Sequence, residues 1–571
     1  METEQMTGSR SVAEVMVDYL VRAGVTDVFG VAGSTIMPLL DGIVTDGRID
    51  YHGARYELSA AEMASGYARV SSRLGVVMTH CGPGATSCLT AMVGAARDGV
   101  PLLLITGNEE SGTLAQHPYH DWDLIRVMGS ITRFSFQITR PDQLPHIMRR
   151  AVGEATRGIT QPVHIDLPED IALEIVPEET ARGWLDDIDP LLKSVSQAPA
   201  LPLSRPAPSA IEMDRMEKLL TEAQKPLIIL GETVQWSPDP GEIVRQCREL
   251  GIPYVTSFGA RGGIVDDTGF AGTIGRFGSR DSNDLLCEAD LVLALGAELT
   301  DVDTVRWSLI ESDATVIAVH PDPAKVDRRI ATTMGVVADV GEFLRTLTTR
   351  MSKQEDFVSS NWIDRASRVD RRNGPIGNPA ASQDPSIDSL LVSNIIEAAP
   401  DDWVVTMDPG FGALTLSAAA DFGGTRFLYP YGLGAMGFAV PNAIGATISD
   451  MIGGAIAIVG DGSFFMSLSS LESIASLDVP VVVVVLDDGG FGSQRKKQLE
   501  GYGRNFGVDY ENPDIAAIAR AMGIQAQWIE TPDDVSRLCK SLTDYKSGYV
   551  AAVQRAREQE GKWYEGSRQR R

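Results

Sequence analysis

Residues 454–490 read GAIAIVGDGSFFMSLSSLESIASLDVPVVVVVLDDGG. Ala455 to Val459 is a short apolar run that ends in the turn Gly460-Asp461-Gly462. From Phe464 to Leu477 the apolar residues Phe465, Leu468, Leu471, Ile474, Ala475 and Leu477 fall at helical spacing. Val479 to Leu486 is an almost unbroken β-branched run, which predicts a strand buried on both faces. Strand, helix, strand implies two parallel neighbours joined by a right-handed crossover. Asp461 then stands at the carboxyl end of one strand, and Asp487 and Asp488 at the end of the next. Open parallel sheets bind ligands at that end. Carboxylates there, beside glycines that admit close backbone approach, suit a hard cation such as Mg²⁺ held together with a diphosphate. The plain alternative is a βαβ unit with a glycine turn and no ligand.

Outward from this unit, a chain of 571 residues is too long for one core and predicts three domains. Asp and Glu number 77 against 50 Lys and Arg, a net charge of −27. That balance argues against nucleic acid and anionic membranes as partners. The five cysteines, Cys81, Cys88, Cys247, Cys287 and Cys539, are scattered and show no metal-ligand spacing, so a reducing cytoplasm is expected. No signal peptide is visible, and the longest apolar runs are strand length, so no membrane span is expected.

Residues 1–185 alternate helices and strands, the rhythm of a doubly wound parallel sheet. Strands are predicted at 27–31, 49–54, 75–80, 101–106 and 164–168, with Gly82-Pro83-Gly84 opening a helix. The Pro-rich stretch Gln197 to Pro208 reads as a linker. Residues 209–351 form a second α/β domain, with strands predicted at 226–230, 254–257, 291–295 and 315–319. Gln354 to Ser386 is polar and reads as a second, irregular linker. The third domain, 388–571, carries a strand at 403–407, the Gly-Asp-Gly unit and a helix-rich end. The fold class is therefore α/β, with three doubly wound parallel-sheet domains. The first and third share a rhythm consistent with an old duplication, without a strict repeat.

The Gly-Asp-Gly stretch resembles the diphosphate–metal motif of thiamine-diphosphate (ThDP) enzymes, most of all the acetolactate synthase, benzoylformate decarboxylase and benzaldehyde lyase group. The resemblance covers nearly the whole chain. It implies that Asp461, Asp488 and Gly490 hold Mg²⁺, with Gly460, Gly462 and Ser463 beside the diphosphate. Asp487-Asp488 replaces the family's usual amide pair and adds negative charge. Gly432-Leu433-Gly434-Ala435-Met436-Gly437-Phe438 resembles the segment that grips the cofactor's middle. Gly434 would face the pyrimidine amine, and Met436, soft and adaptable, would wedge between the two rings. Asp408-Pro409-Gly410 falls where the family places diphosphate-contacting loops, so Asp408 and Gly410 are cofactor candidates.

Glu57, in Arg55-Tyr56-Glu57, takes the place of the family glutamate that activates the thiazolium carbon. Burial in an apolar site would raise its pKa and let it share a proton with the ring. The plain reading is a first-turn helix acid. His80 and Ser34 match the pocket histidine and serine of benzoylformate decarboxylase. His120, in Tyr119-His120-Asp121-Trp122-Asp123, stands where acetolactate synthases carry a glutamine. His117 and Gln116 are the alternatives if the loop register differs. An imidazole near pH 7 can move the protons that making and breaking a tertiary alcohol requires. Gln494 occupies the place of a catalytic glutamate in pyruvate decarboxylases, and an amide cannot protonate a carbanion. The family also implies a homodimer or homotetramer with interfacial sites.

The expected function is ThDP- and Mg²⁺-dependent decarboxylation, carboligation or lysis of a 2-oxo acid or hydroxyketone. Two alternatives stand. One is an FAD-containing acetolactate synthase or oxidase, for which Gly259-Ala260-Arg261-Gly262-Gly263 is a turn-rich loop without a dinucleotide fingerprint. The other is a non-catalytic relative, with Asp487-Asp488 marking lost cofactor binding.

Overall fold

The computed structural model describes residues 8–186, 205–237, 239–261, 268–352, 354, 357–373, 385–410, 412, 422 and 425–555. Among them are three six-stranded sheets, each parallel throughout. In space the first runs Asp50–Gly53, Asp27–Gly30, Gly75–Thr79, Leu102–Asn108, Val163–Pro168, Phe134–Gln137. The third runs Arg426–Leu428, Trp403–Met407, Gly454–Gly460, Val481–Asp487, Tyr549–Gln554, Gln525–Trp528. Numbered along the chain, both have the order 2-1-3-4-6-5. The middle sheet runs Phe270–Thr273, Tyr254–Thr256, Pro226–Leu230, Leu291–Leu295, Thr315–His320, Met334–Val337, the order 3-2-1-4-5-6.

These orders fix where ligands can sit. In the first and third sheets the winding reverses between strands one and three, and the loops there diverge into a crevice. In the third domain that crevice opens at Asp408 and Gly460. In the first it opens at Val31 and His80. In the middle sheet the reversal lies between Pro226–Leu230 and Leu291–Leu295. All seven residues of Val481–Asp487 are buried, as expected of a strand covered on both faces.

The first and third domains share one core through two helices, Glu57–Ser71 and Ala439–Ile448. Gly66 and Gly445 let their backbones meet. A Cβ on Gly66 would lie 2.1 Å from the Asn442 carbonyl oxygen, and one on Gly445 would lie 1.7 Å from that of Met63. Asn442 Nδ2 donates to the buried Glu62 carboxyl at 2.8 Å.

Several elements differ from the sequence reading. The helix after Gly460 begins at Asp461 and is two pieces, Asp461–Met466 and Ser469–Leu477. The break falls at Ser467, whose hydroxyl bonds back to the Ser463 carbonyl and competes with the helix ladder. The 354–386 stretch is not wholly irregular, because Ser360–Ser367 is a helix. It buries Trp362, whose indole N–H donates to the Pro226 carbonyl at 2.8 Å. In the first domain a short strand, Ile175–Pro177, follows the sheet and pairs antiparallel with Ser9–Ser11. The helix-rich end of the third domain contains the buried strand Tyr549–Gln554. Most of the proposed linker Gln197 to Pro208 and the tail after Arg555 lie outside the described residues. No helix among the described residues is long and apolar enough to cross a membrane.

Candidate active site

The third-domain crevice is a cleft of about 330 Å³. Gly410, Gly434, Met436, Gly460, Asp461, Gly462, Ser463, Asp488, Gly490 and Gln494 all line it. Gly434 and Gly437 have φ of +70° and +86°, a region that favours glycine. Gly462 admits no side chain, since a Cβ would lie 2.8 Å from the Phe491 ring and 3.3 Å from Met436 Cε.

Asp408 does not line this cleft. Its buried carboxylate accepts the N–H groups of Gly437, Phe438 and Ala439 at 2.8, 2.9 and 2.7 Å, and the Ser463 hydroxyl as well. Burial pushes its pKa up to about 6. Asp408 therefore holds the turn that carries Gly434 and Met436.

Asp461 is buried and accepts Gly490 N–H at 3.1 Å and Asn512 Nδ2 at 2.6 Å. Asn512 also donates to Asp487 at 2.7 Å. Burial, then the charges of Asp488 and Asp487, raise the Asp461 pKa to about 6. Arg495 is buried beneath the next loop. It lies 3.5 Å from the Asp488 carboxylate and donates to the Asp488 and Gly489 carbonyls at 3.3 Å. The guanidinium thus meets part of the charge added by Asp487-Asp488. The oxygen ligands and the excess of negative charge fit a hard divalent cation, which Asp461, Asp488 and Gly490 could hold. Sequence reasoning missed Arg495 and Asn512, and also Phe277, Lys497 and Arg555 on the cleft wall.

At the first-domain crevice His80 has both ring nitrogens engaged. Nδ1 lies 2.7 Å from Thr35 Oγ1, and Nε2 lies 2.9 Å from His120 Nδ1. The rings meet edge to face. Burial and the neighbouring His120 lower the His80 pKa. Gly33 and Gly82 make room. A Cβ on Gly33 would lie 2.6 Å from His80 Cβ, and one on Gly82 would lie 2.3 Å from the His120 carbonyl oxygen. His117 is exposed and bonds Asp121 at 3.1 Å; Gln116 is exposed too. His120 is thus the member of this loop that touches His80.

Glu57 is the first residue of its helix and is half-buried in the single chain, short of the burial expected from sequence. A Cβ on Gly84 would lie 3.5 Å from its Oε1. Ser34 is exposed, next to the buried Thr35. None of Glu57, His80, His120 or Ser34 lines the third-domain cleft. One chain alone does not bring the two sets together.

A second cleft, of about 260 Å³, lies between the first and middle domains. Thr233, His320 and Asp339 reach it from the carboxyl ends of the middle strands, and Arg205 and Lys325 add positive charge. His320 is buried, and its Nδ1 accepts Asp322 N–H at 2.9 Å. The proton therefore sits on Nε2, which has no partner among the described residues. Burial holds its pKa near 4, so the ring is a neutral donor. The Phe258–Ala260 turn does not line this cleft. A Cβ on Gly259 would lie 3.1 Å from the Tyr431 ring, while Gly262 and Gly263 lie outside the described residues.

Three family models match in order: the N-terminal TPP binding domain of thiamine pyrophosphate enzymes at residues 10–127, their central domain at 213–347, and their C-terminal TPP binding domain at 410–553. A probable acetolactate synthase large subunit of Methanocaldococcus jannaschii is 28% identical over 95% of this chain and 91% of its own length. The acetolactate synthase isozyme 2 large subunit of Escherichia coli is 28% identical over 95% of both chains. The acetolactate synthase large subunit of Corynebacterium glutamicum is 28% identical over 97% of this chain and 85% of its own. With its three parallel-sheet domains and two strand-end crevices, the chain belongs to the thiamine-diphosphate-dependent enzymes, in their acetolactate synthase-like group.

Proposed function

We propose that this chain is a ThDP- and Mg²⁺-dependent transferase of the carboligase kind. It would break or form a carbon–carbon bond next to a carbonyl in 2-oxo acids or α-hydroxyketones. The hydrogen-bonded pair His80–His120, seated on Thr35, is the observation that carries this reading. The acetolactate synthase names of the relatives support it. ThDP, when bound, supplies a carbon that adds to a carbonyl and stabilises the electron pair left when a bond there breaks. Asp461, Asp488 and Gly490 would hold Mg²⁺ at the diphosphate, with Gly410, Gly460, Gly462 and Ser463 forming the cradle. Gly434 and Met436 would grip the middle of the cofactor, on the turn that Asp408 holds. Glu57 would hold a proton at the pyrimidine ring.

His80 and His120 would carry the proton traffic at the substrate oxygen. Two imidazole nitrogens 2.9 Å apart share one hydrogen, so the pair takes up or releases protons one at a time. Ser34 would orient substrate, and Gln494 could donate a hydrogen bond without supplying a proton. His117 and Gln116 have no part in this scheme. Glu57 and His80 would meet the third-domain cleft of a second copy, in a homodimer or homotetramer. The division at residues 1–185, 209–351 and 388–571 and a cytoplasmic setting, supported by five free cysteines, belong to the same proposal.

A second reading adds FAD in the cleft beside His320. The middle sheet has the strand order of dinucleotide-binding folds, and the His320 N–H, without a partner among the described residues, calls for an acceptor. The test incubates the purified protein with 2-oxo acids, with and without ThDP and Mg²⁺, and identifies products by NMR. Cofactor-dependent joining of two substrates is expected. A visible flavin spectrum of the purified protein would support the second reading. No cofactor-dependent turnover, with no ThDP binding by calorimetry, would leave the non-catalytic alternative.

A further inference from the structure

Arg555 stands at the end of Tyr549–Gln554 and lines the third-domain cleft. It is 4% exposed. Its backbone N–H donates to the Asp487 carbonyl at 2.8 Å, which pins it beside the carboxylate pair. Its guanidinium is held through Asp388 and passes close to Gly412. Nη1 donates to the buried carboxylate of Asp388, at the start of the helix Ile387–Glu397. Nε faces Gly412, where a Cβ would lie 3.0 Å from Nε and 3.2 Å from Cδ. A side chain at 412 would press on the arginine and make it give by a few tenths of an ångström. Nη2 is buried and has no hydrogen-bond partner among the described residues.

An unsatisfied donor on a buried cation is costly, and such groups in native proteins answer to a ligand or an ordered water. The neighbours say which. Pro409, Gly410, Gly412 and Gly460–Ser463 line the same cleft as Arg555, with Gly412 next to its side chain. This is a glycine-rich cradle beside three strand-end carboxylates, a surface that repels a polyanion unless cations answer. We infer that Arg555 is a diphosphate-binding residue, its free Nη2–H donating to a phosphate oxygen of the cofactor while Asp388 fixes the fork. The planar fork can bond a carboxylate with one arm and a phosphate with another, which a lysine cannot do in the same geometry. This rests on the cleft being the diphosphate end of the cofactor site, as proposed above.

The test is calorimetry with Mg²⁺ present, using ThDP and then inorganic pyrophosphate as probes. Removing Arg555 alone would strand Asp388 as a buried charge, so the comparison is Asp388→Asn against Asp388→Asn/Arg555→Gln. Both are checked for folding by circular dichroism, and Arg555→Lys serves as a second variant that keeps the charge. A hydrogen bond to a charged group contributes about 1.5–3 kcal/mol, which corresponds to a roughly 10- to 150-fold weaker Kd. That loss is expected in the double variant for both probes, and a smaller loss in Arg555→Lys. Equal affinity in Asp388→Asn and the double variant would overturn the assignment. So would a loss for ThDP without one for pyrophosphate, or full affinity in Arg555→Lys. If the wild type itself binds neither probe, the reading of the cleft as a diphosphate site fails and the assignment of Arg555 falls with it, whereas wild-type binding that both Asp388→Asn and the double variant keep overturns the role of Arg555 alone.

Discussion

At His80 the two ring nitrogens serve different partners, and this division sets what each neighbour can do. Thr35 occupies Nδ1, so proton exchange is confined to the Nε2 side, where His120 waits. Glu57, Glu109 and Cys81 are the other titratable groups around this ring. Loss of a positioned acid–base group costs roughly 10²–10⁴ in rate. His80→Ala and His120→Ala are each expected to lower turnover by about that factor. Thr35→Val should follow in the same direction, and Thr35→Ser should restore it. Exchange of the cofactor's reactive C–H with deuterium should stay near normal in all four, since Glu57 serves the other ring. Wild-type turnover in the histidine variants would make them loop residues. Glu57→Gln should do the reverse, abolishing C–H exchange while ThDP still binds by calorimetry, and near-normal exchange would sink that role. Glu57, His80 and Asp461 were legible in sequence because each sits in a contiguous motif. Thr35 was not, although it neighbours Ser34, because the threonine's partner lies 45 residues away. Asn512 and Arg555 were hidden for the same reason, their carboxylate partners Asp461 and Asp388 lying 51 and 167 residues away, whereas Arg495 reaches its partners only through the turn before its own helix. The importance of the first two lies in what they touch across the fold.

The elements show the same limit from another side. Strands in the sheet centres announce themselves, as in Val481–Asp487, where both faces are buried and every residue is apolar until the last. The strands that the sequence reading left out lie mostly at edges: Phe134–Gln137, Phe270–Thr273, Met334–Val337, Arg426–Leu428 and Gln525–Trp528. Each has three or four residues and most are partly exposed, so no apolar run marks them. The helix Glu57–Ser71 was legible, but its burial against Ala439–Ile448 was not, because small residues signal close packing only once the partner is known. That contact carries a pH dependence. Glu62 is buried there, and burial raises its pKa from the ordinary 4.5 to about 7 against the opposing effect of Asn442. The folded state therefore holds a proton that the unfolded state has lost. Between pH 4.5 and about 7 stability falls as pH rises, on the order of 3 kcal/mol across the window. Glu62→Gln should remove this slope and be the more stable form at pH 8, with little difference at pH 4. Denaturant unfolding of both proteins across that range measures it, and parallel pH curves would contradict it.

At the scale of the whole molecule, the first and third sheets share one strand order, and each offers a crevice at its reversal point. The first-domain crevice carries acid–base groups, and the third-domain crevice carries oxygen ligands and glycines. In one chain the shared core of Glu57–Ser71 and Ala439–Ile448 holds the domains together, yet Glu57 and His80 stay off the third-domain cleft. If the site forms between two copies, each site takes Glu57 from one subunit and Asp461 from the other. Glu57→Gln and Asp461→Ala homo-oligomers should then both be inactive, since each lacks one essential half. Mixed and allowed to exchange subunits, they form hybrids. In a two-fold hybrid one site receives both lesions and the other receives none. Equal mixing makes about half of the dimers hybrids, each with one intact site, so activity should return to about a quarter of wild type. Exchange is followed independently by native mass spectrometry of isotope-labelled subunits. Hybrids that form without any recovered turnover would mean that Glu57 and Asp461 act within the same chain, and the single-chain separation of the two crevices would then have to close by domain movement.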